Sequence, residues 1–224
     1  MTKQIAIERL VVLGANSKVW KSLDKSLLLN DLCVVAIGHA EIDRFKFQPG
    51  DKVWVFSYSR KADENHRIIS VLASNHNIRV FYVSSASTNV TSMTQCYNYP
   101  TVKMKAHEDA LNLCNAFVVN IGWFYDDVND LPSGVTAATS IHELARQMRD
   151  ITYLPGQIVN LFKLVNRPFR SRLEKFLYKT YGELLTLCGR NPCLLRPLDL
   201  LLRLGGMRWY GYLYLSNRLW FTTI

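Results

Sequence analysis

Short apolar runs that alternate with helical patterns constrain the fold of this 224-residue chain more than any other feature. A strand that is apolar throughout must be covered on both faces, and a parallel sheet flanked by helices provides that cover. Glycine, serine or turn residues stand next to the ends of these runs and limit their length. The predicted strands are 9–14, 32–38, 52–58, 78–85 and 116–121.

Helical patterns separate these strands along the chain. Residues 18–29, 61–75 and 100–114 carry apolar side chains at helical spacing. Strands alternating with helices predict an α/β fold with a doubly wound, Rossmann-like parallel sheet. In such a sheet the ligand crevice lies beyond the carboxyl ends of the strands.

The last third of the chain has a different pattern. Residues 139–149 predict a short helix, and Arg167-Pro168 predicts the start of a longer one that ends at Gly189. Residues 197–204 predict another helix, and the aromatic tail 209–221 either packs on the rest or forms a short strand. We therefore expect a dinucleotide-binding type of domain over 1–135 and a small, mostly helical lobe over 136–224.

Charge is distributed unevenly between these two parts. Residues 1–150 hold 16 Lys and Arg against 15 Asp and Glu, whereas residues 151–224 hold 11 against 3. A general nucleic-acid coat would spread its charge, so we expect no nucleic-acid partner. A basic lobe predicts an anionic partner, either a small phosphorylated ligand or an anionic surface.

Other features of the composition exclude further classes of protein. No run of 18 apolar residues predicts a spanning helix, and the segment Met1–Ile5 does not resemble a secretory signal. The five cysteines are odd in number and form no CxxC pair. We therefore expect a cytoplasmic protein with free thiols and no metal site.

Three polar residues fall where the crevice of such a sheet would lie. The fourth strand ends at Ser85, Tyr99 follows 14 residues later, and Lys103 shares a helix face with Tyr99. A nearby ammonium lowers the pKa of a phenol, so the tyrosine can then exchange a proton with an alcohol or ketone. The serine hydroxyl can hold the substrate oxygen. The trio is thus suited to proton-coupled hydride transfer.

The segments around this trio resemble the short-chain dehydrogenase/reductase superfamily, and its extended epimerase/dehydratase branch in particular, whose members typically act on nucleotide sugars. The resemblance implies that Tyr99 is the acid/base, that Lys103 lowers its pKa, and that Ser85 orients the substrate. It also implies a role in making surface polysaccharides. The resemblance rests on Phe81–Ala86, Tyr99–Lys103, Val34–Asp43, Val118–Gly122, Ser140–Ala145 and Ile158–Leu161.

The same resemblance implies a site for NAD or NADP. Its glycine-rich turn corresponds to the segment from Gly14 to Lys21, where only the first glycine remains. Trp20 stands at the third glycine, so either the helix is displaced outward or the indole fills part of the cofactor site. The residues implied in cofactor binding are Gly14, Asn16, Ser17, His39 and Ser57.

Basic residues of the lobe are candidates for holding the phosphates of a nucleotide sugar, because arginine forks match phosphate oxygens. The catalytic helix is also a common dimer surface in the resembled family, which implies a homodimer. The candidate phosphate ligands are Arg167, Arg170, Arg172, Arg190 and Arg196.

Three functions stay open at this point. The first is an NAD(P)-dependent oxidoreductase or epimerase acting on a nucleotide sugar. The second is a non-catalytic relative that has lost the cofactor and serves as a partner or regulator, since the glycine turn is altered. The third is a peripheral membrane or polyanion binder, based on the basic third and on Leu194, Leu195, Leu198 and residues 200–202.

Overall fold

A computed structural model describes residues 8–23, 32–188, 191–204 and 211–222. Six strands form one sheet in the order β2-β1-β3-β4-β5-β8. Strand β1 pairs in parallel with both β2 and β3, β3 pairs in parallel with β4, and β5 with β8. The predicted doubly wound sheet is confirmed. The strands are β1 Arg9–Leu13, β2 Cys33–Ile37, β3 Lys52–Val55, β4 Arg79–Ser85, β5 Ala116–Ile121 and β8 Ile158–Asn160.

The strand order places a topological switch point at β1. The chain leaves β1 to form β2 on one side and returns to form β3 on the other. The connection after β1 therefore crosses to one side of the sheet, and the connection after β3 crosses to the other. The crevice that opens between these two connections is where parallel α/β sheets hold ligands. The first predicted turn, at Gly14, lies at this point.

Apolar side chains of the strands form one core with two helices. Helix α2 (Ala62–Ala73) contributes Ile68, Ile69 and Leu72, and helix α3 (Asn98–Leu111) contributes Ala106 and Ala110. These residues recur at helical spacing, so each helix buries a single face against the sheet. Small alanines on α3 allow that helix to approach the strands closely.

The first helix is shorter than its pattern predicts. Helix α1 spans Lys18–Ser22, and the next residue, Leu23, has an extended backbone and donates to the carbonyl of Trp20. Residues 24–29 of the predicted helix lie outside the described residues. Leu23 and Trp20 are both buried, so packing of these two side chains ends the helix where the local pattern would continue it.

A second sheet has three strands in the order β6-β7-β9, and β7 pairs antiparallel with β9. Arg167 lies opposite Gly134 in this ladder. The sequence places the start of a helix at Arg167-Pro168, and this is wrong, because the strand pairing holds Arg167 extended. The predicted helix over 139–149 begins two residues later, at Ile141, for the same reason. The strands are β6 Trp123–Tyr125, β7 Gly134–Ser140 and β9 Lys163–Arg167, and helix α4 is Ile141–Asp150.

Three helices follow the second sheet: α5 Arg172–Cys188, α6 Pro192–Leu204 and α7 Gly211–Thr222. Helix α6 starts five residues before the predicted helix and contains Pro197. The tail forms a helix, so the predicted alternative of a short strand is wrong. Tyr214 and Leu215 of α7 are buried in one apolar cluster with residues of α5 and α6, and this packing stabilises the tail as a helix.

The chain folds into two compact units that interleave along the sequence, whereas the sequence predicts contiguous parts over 1–135 and 136–224. The chain enters the second unit at Ser85, Ile121 and Leu161, which lie at or directly after the carboxyl ends of β4, β5 and β8. Unit 1 comprises residues 1–84, 105–120 and 140–160, and unit 2 comprises residues 85–104, 121–139 and 161–224.

Candidate functional site

Ser85 and Tyr99 lie together in unit 2. Ser85 ends β4 and caps the 3-10 helix Ala86–Ser92, where its hydroxyl accepts from the Ser87 amide at 3.2 Å. The Ser85 and Ser87 hydroxyl oxygens are 2.8 Å apart. Tyr99, in the first turn of α3, makes a side-chain hydrogen bond with Ser85. The structure thus joins two members of the predicted trio.

Burial controls the pKa of Tyr99. Removal of the phenol from water raises its pKa above the usual value of 10.0, and the hydrogen bond with Ser85 opposes this only in part. The sequence predicts a lowered pKa, and the direction in the structure is the opposite. The helix spacing between Tyr99 and Lys103 can be read from the sequence, whereas the burial of the phenol depends on tertiary packing. Tyr99 is therefore a protonated phenol at neutral pH.

Lys103 is the third member of the trio and follows Tyr99 by one helical turn on α3. The side chain is 4% exposed, and burial lowers its pKa from 10.5 to about 7. Burial removes the water that solvates the ammonium, so the protonation equilibrium shifts towards the neutral amine. Near neutral pH, both the charged and the neutral forms of Lys103 are populated.

Three tyrosine rings pack together beside Ser85 and Lys103, a contact that no sequence motif predicted. The rings of Tyr99 and Tyr212 have centroids 5.6 Å apart, and those of Tyr97 and Tyr212 lie 5.7 Å apart with an edge-on orientation. Tyr212 belongs to α7, more than 100 residues further along the chain. The high aromatic content of the tail was the only sequence signal for this contact.

Helix α7 also holds the segment that follows Ser85. The Ser216 hydroxyl and the Trp220 indole N–H both donate to the carbonyl of Ala86, at 3.0 and 2.9 Å. The Asn89 amide donates to the carbonyl of Ser216 at 3.2 Å. Because Ala86 is the next residue after Ser85, these bonds fix the backbone on which the Ser85 hydroxyl is carried.

Gly14 shapes the turn after β1 in unit 1. Its φ of 109° lies in a region that side-chain-bearing residues rarely adopt, and a Cβ there would lie 2.8 Å from the Ser57 amide nitrogen. Three amides of this turn already have protein acceptors. Gly14 and Ala15 donate to the carbonyl of Ile37, and Ser17 donates to the carbonyl of Gly14.

The remaining predicted cofactor residues surround this turn. His39 Nδ1 lies 2.7 Å from the Ser57 hydroxyl, so the ends of β2 and β3 are joined by this pair. The other ring nitrogen, His39 Nε2, is buried and has no hydrogen-bond partner among the described residues. Ser17 caps α1 by accepting from the Trp20 amide at 3.1 Å, and Asn16 is exposed.

Trp20 packs into the protein core. The indole is 5% exposed, and its ring centroid lies 6.5 Å from that of Phe56. Phe56 in turn stacks near Trp54, whose ring is parallel to that of Phe81 at 4.9 Å. The side chain that replaces the third glycine therefore begins a row of aromatic rings along the sheet. The indole of Trp20 is thus packed against neighbouring aromatic rings, in a place that a glycine would leave unfilled.

Of the predicted phosphate ligands, the structure describes the side chains of Arg167, Arg170 and Arg172. Arg167 donates to the carbonyl of Leu131, and Arg170 is exposed with its amide bonded to Glu174. Arg172 is exposed on α5. Arg190 and the side chain of Arg196 lie outside the described residues.

A cavity in unit 2 offers different cations, which the sequence analysis did not single out. It has a volume of about 320 Å³ and lies among β7, α5 and α7. Lys179 and Arg218 line it together with Tyr178 and Tyr214. Burial raises the pKa of Tyr178 to about 12, so this phenol is a hydrogen-bonding group and not a base.

Two other features concern metals and membranes. Among residues 8–23, 32–188, 191–204 and 211–222, no cluster of three His, Cys, Asp or Glu side chains could hold a metal ion. None of the described helices is long and apolar enough to cross a membrane.

The sheet order and the switch point at β1 define a doubly wound, Rossmann-like α/β fold. Comparison with solved structures confirms the predicted resemblance at the level of the fold. A short-chain dehydrogenase/reductase superfamily protein from Agrobacterium tumefaciens, solved with NAD, matches 79% of this chain and 83% of its own, with a TM-score of 0.55 and 10% identity.

Two nucleotide-sugar enzymes from Bacillus anthracis have the same fold. dTDP-glucose 4,6-dehydratase, in complex with NAD, matches 82% of each chain with a TM-score of 0.53 and 10% identity. dTDP-4-dehydrorhamnose reductase, in complex with NADP, matches 78% of this chain and 81% of its own, with a TM-score of 0.52 and 10% identity. No protein-family model and no curated protein matches the sequence.

Proposed function

We propose that this protein is an NAD(P)-dependent oxidoreductase that acts on a nucleotide sugar in the cytoplasm, in the synthesis of surface polysaccharides. The observation that carries the proposal is the hydrogen-bonded pair of Ser85 and Tyr99, followed one helical turn later by the buried Lys103. Two hydroxyls and an amine of this kind are the groups that move a proton during carbonyl reduction.

The residues near Gly14 fit a dinucleotide. The buried Nε2 of His39 has no partner among the described residues and remains for a ligand, and the turn at Gly14 has no Cβ. Gly14, Asn16, Ser17, His39 and Ser57 would hold the cofactor. When bound, the nicotinamide supplies the hydride chemistry that protein side chains lack.

The protein groups would act on the substrate oxygen. Tyr99 donates its phenolic proton to the carbonyl oxygen of the sugar, and the Ser85 hydroxyl donates a hydrogen bond to the same oxygen. Lys103 in its charged form stabilises the phenolate that remains. The bond between Ser85 and Tyr99 supports this assignment, because both hydroxyls already face one another.

The protonation state of Tyr99 favours reduction over oxidation. Burial raises the pKa of this phenol, so it holds its proton at neutral pH. Reduction of a ketone begins with a proton donor, whereas oxidation of an alcohol begins with a base. We therefore favour a nucleotide ketosugar as the substrate. The names of the two Bacillus anthracis enzymes support a nucleotide sugar.

A non-catalytic relative is the second candidate function, and one observation favours it. Helix α1 has only five residues, and the amides of Gly14, Ala15 and Ser17 are already bonded within the protein. A turn that satisfies its own amides offers fewer donors to a pyrophosphate. In this case the chain would serve as a partner or regulator of a related enzyme.

Cofactor titration separates the two candidates. NADH and NADPH are added up to millimolar concentration, and binding is followed by fluorescence and thermal shift. Binding of either one supports the oxidoreductase. Absence of binding by both, with the protein folded, excludes it in favour of the non-catalytic relative.

A tyrosine pair then tests the catalytic assignment. Tyr99→Phe is compared with Tyr97→Phe, which removes a hydroxyl from the same short segment. Both variants should bind the cofactor like the wild type. On a panel of nucleotide ketosugars, only Tyr99→Phe should lose about 10²–10⁴-fold in kcat, because the general acid is gone. Equal turnover of the two variants would refute the role of Tyr99.

A further inference from the structure

Helix α5 presents five large apolar side chains to solvent. The exposed fraction is 80% at Leu187, 66% at Leu173 and 63% at Phe176, and Leu177 and Leu184 are 46% and 41% exposed. At 3.6 residues per turn these five positions occupy an arc of about 100° on one side of the helix. We call this group the α5 stripe.

The α5 stripe is separate from the face that α5 uses for packing. Tyr181 and Leu185 are buried in an apolar cluster with Leu195 of α6 and Leu215 of α7. Helix α5 therefore already buries one apolar face within unit 2, and the stripe is a second apolar face. Several large apolar side chains exposed on one side of a helix indicate an interaction site, whereas apolar side chains exposed singly do not.

Helix α6 adds to the exposed apolar surface. Leu194, Leu200 and Leu201 are 53%, 59% and 66% exposed, whereas Leu195 is fully buried and Leu198 packs against the same cluster. The leucine-rich segment that the sequence singled out is thus divided. Part of it belongs to the core, and part remains in solvent.

Basic residues accompany the stripe. Arg172, Lys175 and Lys179 are exposed on α5, and on a helical projection all three lie to one side of the stripe. The exposed Glu183 lies on the same side, so the flank carries three cations against one carboxylate. Residues 151–224 as a whole contain 11 Lys and Arg against 3 Asp and Glu. An apolar stripe with a basic flank matches an anionic lipid surface, since apolar side chains enter the interface while the cations meet the headgroups.

Charge also argues against a second copy as the occupant. In a twofold dimer that pairs the two α5 stripes antiparallel, the basic flanks of both subunits lie on the same side of the contact and meet. Like charges in an interface oppose association. We propose that the α5 stripe and its basic flank bind the protein peripherally to a membrane surface rich in anionic lipid. The proposal does not depend on the catalytic function, so either can fail without the other.

Vesicle flotation of the full chain tests the proposal. Vesicles of phosphatidylcholine alone are compared with vesicles that contain about 30% phosphatidylserine, at about 50 mM and about 500 mM NaCl. The stripe variant combines Phe176→Gln and Leu187→Gln. Its control is Leu154→Gln, because Leu154 is 44% exposed and lies in unit 1.

A second pair of variants examines the charge alone. Arg172→Gln with Lys175→Gln removes two cations from the flank. Lys46→Gln with Lys61→Gln removes two exposed cations from unit 1 and serves as its control. All four variants change exposed side chains, so folded protein is expected in each and is checked by circular dichroism.

We expect the protein to float with the anionic vesicles only. The bound fraction should fall at least tenfold at the higher salt. The stripe and flank variants should lose binding to a similar extent, and their controls should bind like the wild type. Three results would overturn the proposal. These are no flotation at low salt, flotation that the stripe and flank variants retain, and a self-association that the stripe variant abolishes while lipid binding is absent.

Discussion

Replacing Lys103 with Met should stabilise the folded protein while it removes activity. Lys103 is buried, and burial lowers its pKa from 10.5 to about 7. Each pKa unit corresponds to about 1.4 kcal/mol, so the buried charge destabilises the fold by up to about 5 kcal/mol at low pH. Methionine keeps the apolar length of the side chain without the amine.

The stabilisation should depend on pH in a defined direction. Below pH 7 the amine is protonated in both the folded and the unfolded state, so the full cost is present. Between pH 7 and 10.5 the unfolded state binds the proton more tightly, so the stability of the wild type rises with pH relative to the variant. Above 10.5 both states are neutral, and the difference disappears.

Urea unfolding of both proteins at about pH 6 and about pH 9.5 measures this difference. The gain in the free energy of unfolding for Lys103→Met should approach about 5 kcal/mol at the lower pH and fall to about 1 kcal/mol at the higher pH. Titrations of other groups cancel in the comparison. A gain that is the same at both pH values, or a loss at the lower one, would refute the reasoning.

Two further predictions concern the turn after β1 and the helix that supports Ser85. Gly14→Ala should lower the free energy of unfolding by at least about 3 kcal/mol, because the new Cβ would lie 2.8 Å from the Ser57 amide nitrogen and would also strain the backbone. The control is Gly50→Ala, where φ is also positive but no atom lies within 4 Å. It should lower the free energy of unfolding by only about 1–2 kcal/mol. Equal losses in urea unfolding would show that the close approach is unimportant. Ser216→Ala should lose about 1 kcal/mol, since the carbonyl of Ala86 keeps its bond from the Trp220 indole, and a thermal-melt loss well above that value would contradict this.

Local pattern was sufficient to predict the main sheet. Strands β1, β3, β4 and β5 are short apolar runs, and their burial on both faces follows from that composition alone. Strand β2 is also an apolar run, but it lies at the edge of the sheet and is partly exposed, so its predicted burial is wrong. The candidates Ser85, Tyr99 and Lys103 followed from a strand end, from helix spacing between the tyrosine and the lysine, and from the family resemblance of the segments around them. These parts of the candidate site could therefore be located without any structure.

Contacts between distant segments decided the rest. The helix after Gly14 ends at Ser22, where the buried Trp20 packs against Phe56, and the strand at Arg167 continues because Gly134 pairs with it. Phe56 and Gly134 are both distant in sequence from the residues that they contact. The aromatic tail becomes a helix because Tyr214 and Leu215 join a cluster with α5 and α6.

The sequence by itself determined which groups could do chemistry: a serine at a strand end, a tyrosine in the first turn of a helix and a lysine one turn later. Only the tertiary structure decided their protonation states. The pKa of a phenol or an amine depends on how much water surrounds it, and that depends on every segment packed nearby. Burial raises the pKa of Tyr99 and lowers that of Lys103, and residue spacing carries no information about burial.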